Sequence, residues 1–355
     1  MKEIIQKIEK RERITAQEAL KLYDLDLLEL GSLADSIRKE RFGKKSYFNI
    51  NRHINPTNIC KDTCKFCAYS ATRKNPNPYA MSVEEIVSIA KGAWEKGAKE
   101  VHIVSAHNPE VGLEWYLQSF SEVKKTLPQI HVKALTAAEI HFLATEYNKS
   151  YEEIIELMIE HGVDSMPGGG AEIFAEEVRD KICKGKVSSK EWLEIHKLWH
   201  SRGRKSNATM LFGHIESRAD RVDHMERLRD LQDETVGFNT FIPLVYQREN
   251  NYLRVENFLT AKEILKTYAI ARIFLDNIPH IKAYWATSTI NLALLAQEFG
   301  CDDLDGTIQK ESIQSAAGAA SANGMALDEF VGLIRDSGFI PVERDSLYNE
   351  LKVYS

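Results

Sequence analysis

The sequence predicts an α/β fold, a (β/α)8 barrel of the TIM type, and three observations lead there. Short β-type segments alternate with long amphipathic helices along most of the chain, the pattern of a parallel sheet wrapped by helices. The candidate strands number eight, the count at which such a barrel closes. The residues at the strand ends are unusually polar, as expected where barrel loops converge over one mouth.

Residues 1–43 are expected to form an N-terminal helical cap. Thr15 is placed to cap a run through Ala19, Leu20 and Tyr23, and Leu27 to Ile37 carries apolar residues at helical spacing. The barrel is assigned to residues 44–310, with strands at Ser46–Ile54, Glu100–Ser105, His131–Leu135, Asp164–Pro167, Ser206–Phe212, Gly237–Leu244, His280–Trp285 and Asp303–Thr307. Helical periodicity fills the intervals at Ser82–Lys96, Tyr151–His161, Ser189–Ser201, Ala219–Gln232, Ala261–Asp276 and Ile290–Phe299. The fourth and eighth strands carry the least pattern, so a partial barrel of six strands stays open. Residues 311–355 are expected to be a C-terminal helical extension covering one edge.

Composition limits the partners. At 355 residues with 43% hydrophobic and 28% charged residues, the chain can bury a sizeable core. A formal net charge of −6 provides no basic field to draw it to nucleic acid or anionic lipid, so an anionic ligand has to be met by a local pocket. The N-terminus lacks the apolar core of an export signal, and no run approaches the roughly 18 apolar residues that span a bilayer. A cytoplasmic protein with no membrane partner is expected; its oligomeric state is left open.

Three of the five cysteines fall in the segment Cys60-Lys-Asp-Thr-Cys64-Lys-Phe-Cys67, just after the first predicted strand. So sparse and crowded a set is not a disulfide framework. The spacing C-x3-C-x2-C on one loop lets three thiolates each take a different iron of a cubane and leaves the fourth iron open. The alternative is zinc held by the same cysteines with His53 as fourth ligand. Cys183 and Cys301, in helical contexts, read as small buried hydrophobes.

This motif, in this position, resembles that of the radical S-adenosylmethionine (SAM) superfamily. The resemblance implies a [4Fe-4S] cluster on Cys60, Cys64 and Cys67 whose open iron chelates SAM, and a 5′-deoxyadenosyl radical released when the reduced cluster splits it. Phe66 matches the family's aromatic position beside the adenine. Longer strings extend the likeness to the menaquinone and deazaflavin branch, above all the aminofutalosine synthase family: His53-Ile-Asn-Pro-Thr-Asn58, Lys133-Ala-Leu-Thr-Ala137, Asp164-Ser-Met-Pro-Gly-Gly-Gly-Ala-Glu172, Ser206-Asn-Ala-Thr-Met-Leu-Phe-Gly-His-Ile-Glu216 and Asp303-Leu-Asp-Gly-Thr307. That family's reaction adds the radical to the vinyl carbon of 3-[(1-carboxyvinyl)oxy]benzoate, with rearrangement and decarboxylation. The sister cyclase, which closes a ring in dehypoxanthine futalosine, a deazaflavin synthase subunit, and a zinc-stabilised nucleoside-binding barrel are the rivals. One departure stands out: Ser105-Ala106-His107-Asn108-Pro109 replaces a Gly-Gly pair and histidine found in many relatives.

Radical addition needs reactants held in geometry and water kept away more than it needs acid or base. The expected orienting groups are His214, Asn207, Thr209 and Glu216, with Asn55, Thr57 and Arg248 also near predicted strand ends. A substrate with two carboxylates calls for a cation, with Arg248, Lys133 and His214 as candidates. For SAM the expectation is Ser105 and Ala106, the triplet Gly168-Gly169-Gly170 opening a helix, and Glu172 and Arg179 along that helix. An oxygen-labile cluster implies a low-potential electron donor such as flavodoxin or ferredoxin.

Overall fold

The computed structural model describes residues 1–308, 312–319 and 324–354. Its central feature is a run of parallel strands: β1 (Lys45–Asn49), β2 (Asn51–Ile54), β3 (Glu100–Ile103), β4 (His131–Ala134), β5 (Ser206–Phe212), β6 (Phe238–Val245), β7 (His280–Ile281) and β8 (Asp303–Gly306). Ladders join β2 to β3 to β4, β5 to β6 to β7, and β8 to β1. Isolated parallel bridges supply the other links: Lys133 to Ser165, Met166 to Ser206, and Lys282 to Asp303. With Ile50 alone between β1 and β2, these pairings run around a full circuit, the order of a TIM-type barrel.

The fourth predicted strand is reduced to the two bridging residues, Ser165 and Met166. The seventh ends at Ile281, and Trp285 opens a short helix. Both shortenings fall where glycine or polar residues turn the chain inward over the barrel mouth. The expected strand Ser46–Ile54 is divided at Ile50 into β1 and β2, and the pairing of β1 with β8 shifts register between Tyr47 and Asn49.

Helices start where the sequence places good caps. Ser82, Thr136, Ser150, Ser188 and Ser217 each close a capping box with the acidic residue three positions on. At the N-terminus, Thr15 caps Ala16–Lys21 and Asp26 caps Leu27–Phe42, the latter packed against Ala261–Phe274 of the barrel's outer layer. The helical cap is thus bound to the barrel wall, through Ala19, Leu22, Leu30 and Ala34, all fully buried.

The C-terminal expectation of helices alone is corrected. A helix does form at Leu327–Asp336, but it is followed by β9 (Ile340–Arg344) and β10 (Glu350–Val353), an antiparallel pair. The physical reason lies in Ile340-Pro-Val-Glu-Arg344: proline and valine disfavour a helix, and the edge of β1 offers unpaired backbone. Strand β9 adds parallel to the lower half of β1, Lys45 facing Ile340 through Phe48 facing Glu343, and closes the barrel's N-terminal end.

Several histidines are buried among apolar groups. Burial pushes His200 and His224 down to about 3, from an ordinary value of 6.5. Their neutral rings are satisfied: His224 accepts from the Phe174 N–H at 3.1 Å and faces the Thr209 carbonyl at 2.9 Å. Below about pH 6.5 the unfolded chain takes up protons that the fold refuses until about pH 3, so stability drains away as pH falls through that window. The urea midpoint is expected to drop steadily from pH 6.5 downward, by up to about 1.4 kcal/mol per pH unit for each such histidine. A midpoint that stays level to pH 5 contradicts this account.

Candidate active site

A cavity of about 290 Å³ opens at the C-terminal ends of the strands and runs down to Glu100, the first residue of β3. Its mouth carries Cys60, Cys64, Phe66 and Cys67; its walls carry His53, His102, Asn207, Thr209, Ile242 and Leu244; its floor carries Glu100, Lys133, Lys282 and Asp305. A TIM barrel interior is ordinarily filled by branched apolar side chains. Here inward positions of β2, β3, β4, β5 and β8 are polar, and the interior stays hollow.

The cysteines lie on a connection running from Ile54 to the helix at Val83, far longer than most barrel loops. Polar braces hold it. Thr57 donates to the Tyr79 carbonyl at 2.8 Å, Asn58 donates to the Asn77 carbonyl and accepts from the Tyr79 N–H, and the Tyr69 and Tyr79 hydroxyls meet at 2.6 Å. Asn108 donates to the Thr57 hydroxyl at 3.0 Å, so this residue braces the loop. Lys65 is clipped by its N–H to the Ile182 carbonyl and by its carbonyl to the N–H groups of Tyr252 and Leu253.

The thiols suit a polynuclear centre. All three are half-buried and unbonded, and burial raises Cys60 and, more strongly, Cys64 above the ordinary thiol value. Zn–S bonds of about 2.3 Å would gather sulfurs to within about 4 Å of one another. Among the described residues the one set gathered within 4.8 Å is Cys60, Asp62 and His107, not the cysteines together. The three thiols and His53 are thus not gathered into the tight tetrahedral set that a zinc ion would need. His107 pairs with Asp62 at 2.9 Å and stacks on Phe142.

The structure sorts the expected site residues into two groups. Phe66, Ser105, Ala106, Gly169, Glu172, Asn207, Thr209, Asn55 and Lys133 line the cavity. Ser105 is fixed through its N–H to the buried Glu139 carboxylate at 2.8 Å. Thr209 donates to the Gly168 carbonyl at 2.6 Å, so its hydroxyl braces the glycine segment. Glu172 pairs with Lys186 at 2.7 Å, and Lys186 lies over the Phe66 ring.

His214, Glu216, Arg179, Thr57 and Arg248 stand outside it. The Glu216 side chain is fully buried in the turn after β5, accepting from the Gly213 and His214 N–H groups at 2.6 and 2.8 Å and from Arg221 at 2.7 Å. Burial keeps His214 below its ordinary value, and its Nε2 lies 3.0 Å from the Leu211 carbonyl, so it supplies no cation. Arg248 is spent on the carbonyls of Val255 and Asn257 and on the Phe258 ring.

The glycine triplet does not open a helix; the next helix starts at Glu176, and Glu172 sits in a left-handed turn at φ 47°. Glycine is required at 168 because a Cβ would come within 2.8 Å of the β5 backbone, and at 170 because φ is +90°. The triplet's carbonyls are committed to Thr209, Trp192 and Arg179, and all three glycines line the cavity. Arg179 donates to the carbonyls of Gly170, Ala171, Ile173 and Val187, which makes it the clamp of this loop. The signals missed in the sequence are Glu100, His102 and Asp305, polar residues inside strands, and Lys282, just after β7, whose inward aim depends on barrel closure.

Residues 54–228 match the radical SAM superfamily, and residues 235–355 match the CofH/MqnC C-terminal region. The chain is 42% identical to the aminodeoxyfutalosine synthase of Thermus thermophilus, covering 99% of this chain and 96% of that one. It is 37% identical to the cyclic dehypoxanthine futalosine synthase of Streptomyces coelicolor, covering 96% and 86%. The structure superposes on methylornithine synthase (PylB) with a TM-score of 0.77 over 95% of this chain and 97% of that one, at 16% identity, which attests the shared fold.

Glu216→Ala is expected to act on stability. It removes the acceptor of the Gly213 and His214 N–H groups and one of the two carboxylates on Arg221, which keeps Glu263 at 2.9 Å, at about 2–4 kcal/mol. The unfolding midpoint should fall, while SAM affinity of the folded protein stays within about twofold. A stable variant with weakened SAM binding would return Glu216 to the site.

Proposed function

The chain belongs to the radical SAM superfamily, and from that premise we propose that it catalyses the aminodeoxyfutalosine synthase reaction of menaquinone biosynthesis. One observation carries the reading: the three unbonded cysteines and a polar, hollow barrel interior share a single cavity. The Thermus thermophilus relative, similar over nearly the full chain, is named for the same reaction, at a higher identity than the Streptomyces coelicolor relative named for the sister one.

In this reading Cys60, Cys64 and Cys67 would hold a [4Fe-4S] cluster, and the segments Ser105–Ala106 and Gly168–Gly170, which line the same cavity, would hold SAM. The bound cluster and SAM supply a 5′-deoxyadenosyl radical for addition to the vinyl carbon of 3-[(1-carboxyvinyl)oxy]benzoate. The chain's own residues orient and enclose. Phe66, with Lys186 above it, offers a face for the adenine; Glu172 is the acceptor nearest for a sugar hydroxyl or the SAM amino group. Asn207, aimed inward from β5, and Asn55, at the end of β2, position the vinyl ether. Apolar Ile242 and Leu244, on the neighbouring strand β6, limit water and stray hydrogen donors near the reacting carbon. Reduction comes from a small low-potential protein such as flavodoxin or ferredoxin.

Anaerobic incubation of the reconstituted protein with SAM, dithionite and the vinyl-ether substrate tests this, read by mass spectrometry. 6-Amino-6-deoxyfutalosine is expected, and none from Cys64→Ala, which should also lose its iron. If 5′-deoxyadenosine alone appears, and dehypoxanthine futalosine is cyclised instead, the synthase reading fails in favour of the sister reaction.

A further inference from the structure

The cations expected from the sequence to meet the substrate carboxylates reduce, in the structure, to Lys133, and the cavity adds a second, Lys282. We propose that Lys133 and Lys282 together form an anion-binding floor that takes the benzoate carboxylate of the substrate, the end farthest from the cysteine loop. The proposal rests on the synthase reading and assigns one of the two carboxylates that reading leaves without a partner.

Lys133 is the third residue of β4 and Lys282 follows β7, so they reach the same floor from well-separated strands, 4% and 2% exposed. Each has a wall carboxylate as counter-ion: Lys133 meets Glu100 at 2.6 Å and Lys282 meets Asp305 at 2.6 Å. The carboxylates are well supplied with donors. Glu100 also accepts from the Ser346 hydroxyl at 2.5 Å, and Asp303, 3.8 Å from Lys282, is held by Arg344 at 2.6 Å and by the Asp305 N–H at 2.6 Å. An ammonium group has three donors. Among the described residues each lysine spends one hydrogen bond on its carboxylate, and both head groups line open cavity.

The backbone supports a binding role. Asp305 has φ of +72°, a left-handed conformation costly for a residue with a Cβ, and the following Gly306 fits because a Cβ there would come 2.3 Å from Asn49 Oδ1. In this conformation the Asp305 carboxylate lies 2.6 Å from Lys282. Other cations around the cavity are committed elsewhere: Arg248 and Arg179 to backbone carbonyls, Lys186 to Glu172 beside the cysteine loop. Radical addition has to happen next to the cysteines, so the vinyl ether lies at the mouth. The meta-placed benzoate carboxylate then points down the barrel, where a dehydrated anion finds two charged donors and little competing water.

The test uses two unreactive probes on the reconstituted holoprotein by calorimetry: 3-(carboxymethoxy)benzoate, with both carboxylates but no vinyl group, and phenoxyacetate, which lacks the benzoate carboxylate. Wild type should prefer the diacid by roughly ten- to a hundredfold, the range for a charge-assisted pair. Lys282→Gln and Lys133→Gln should each remove most of that preference while phenoxyacetate binding changes little. If a single variant fails to fold, the pairs Lys282→Gln with Asp305→Asn, and Lys133→Gln with Glu100→Gln, keep the interior neutral and are read the same way. Folded variants that retain the full preference overturn the floor while leaving the synthase reading standing. A wild type that makes the product yet shows no diacid preference does likewise. A wild type that binds neither probe and forms no product overturns both together.

Discussion

The molecule depends on neutralising charge inside its barrel. Glu100 with Lys133, Asp305 with Lys282, and Asp303 with Arg344 are pairs at 2.6 Å, each nearly or fully buried. Buried pairs seldom improve on well-packed apolar residues, because desolvating both ions offsets most of their attraction. A filled apolar interior would make a more stable barrel with no room for a ligand. The polar interior is the cost of a cavity, and pairing keeps that cost within what the fold tolerates.

This requirement explains the C-terminal strand pair. Burial alone would raise the Asp303 carboxyl, but Arg344 and Lys282 outweigh it and hold the group well below the usual carboxylate range. Arg344 is the last residue of β9, and Ser346 lies just beyond, so the pairing of β9 with β1 carries both donors under the barrel to Asp303 and Glu100. The terminal segment is thus an integral part of the barrel's closed end, tied to the same charges that shape the floor of the cavity.

At the other end, the long cysteine connection has no regular structure and is ordered by side-chain to backbone bonds from Thr57, Asn58, Tyr69 and Tyr79. Three residues of a short loop can be spread around a cubane only if the loop's own polar groups are satisfied away from the metal. Arg179 does the same for the glycine segment, fixing its carbonyls together with Thr209 and Trp192.

Local pattern was enough for the cysteine spacing, the alternation of strands and helices and most helix starts, since each depends on neighbours in the chain: a capping box spans four residues, a thiol triad eight. Residue type at strand ends was a weaker guide. His214 and Glu216 stand beside a barrel mouth as sequence order suggests, yet they turn into the loop and bond its backbone, whereas Lys282 and Asp305, which the sequence did not single out as ligand groups, line the cavity. Which way a strand residue points is settled by closure of the sheet, and which side chain a buried charge meets is settled by strands distant in sequence. The sequence alone determined the chemistry available and the elements that carry it. Tertiary structure decided which polar groups are spent on holding the chain and which are left for a ligand, because both depend on contacts that exist only once the barrel has closed.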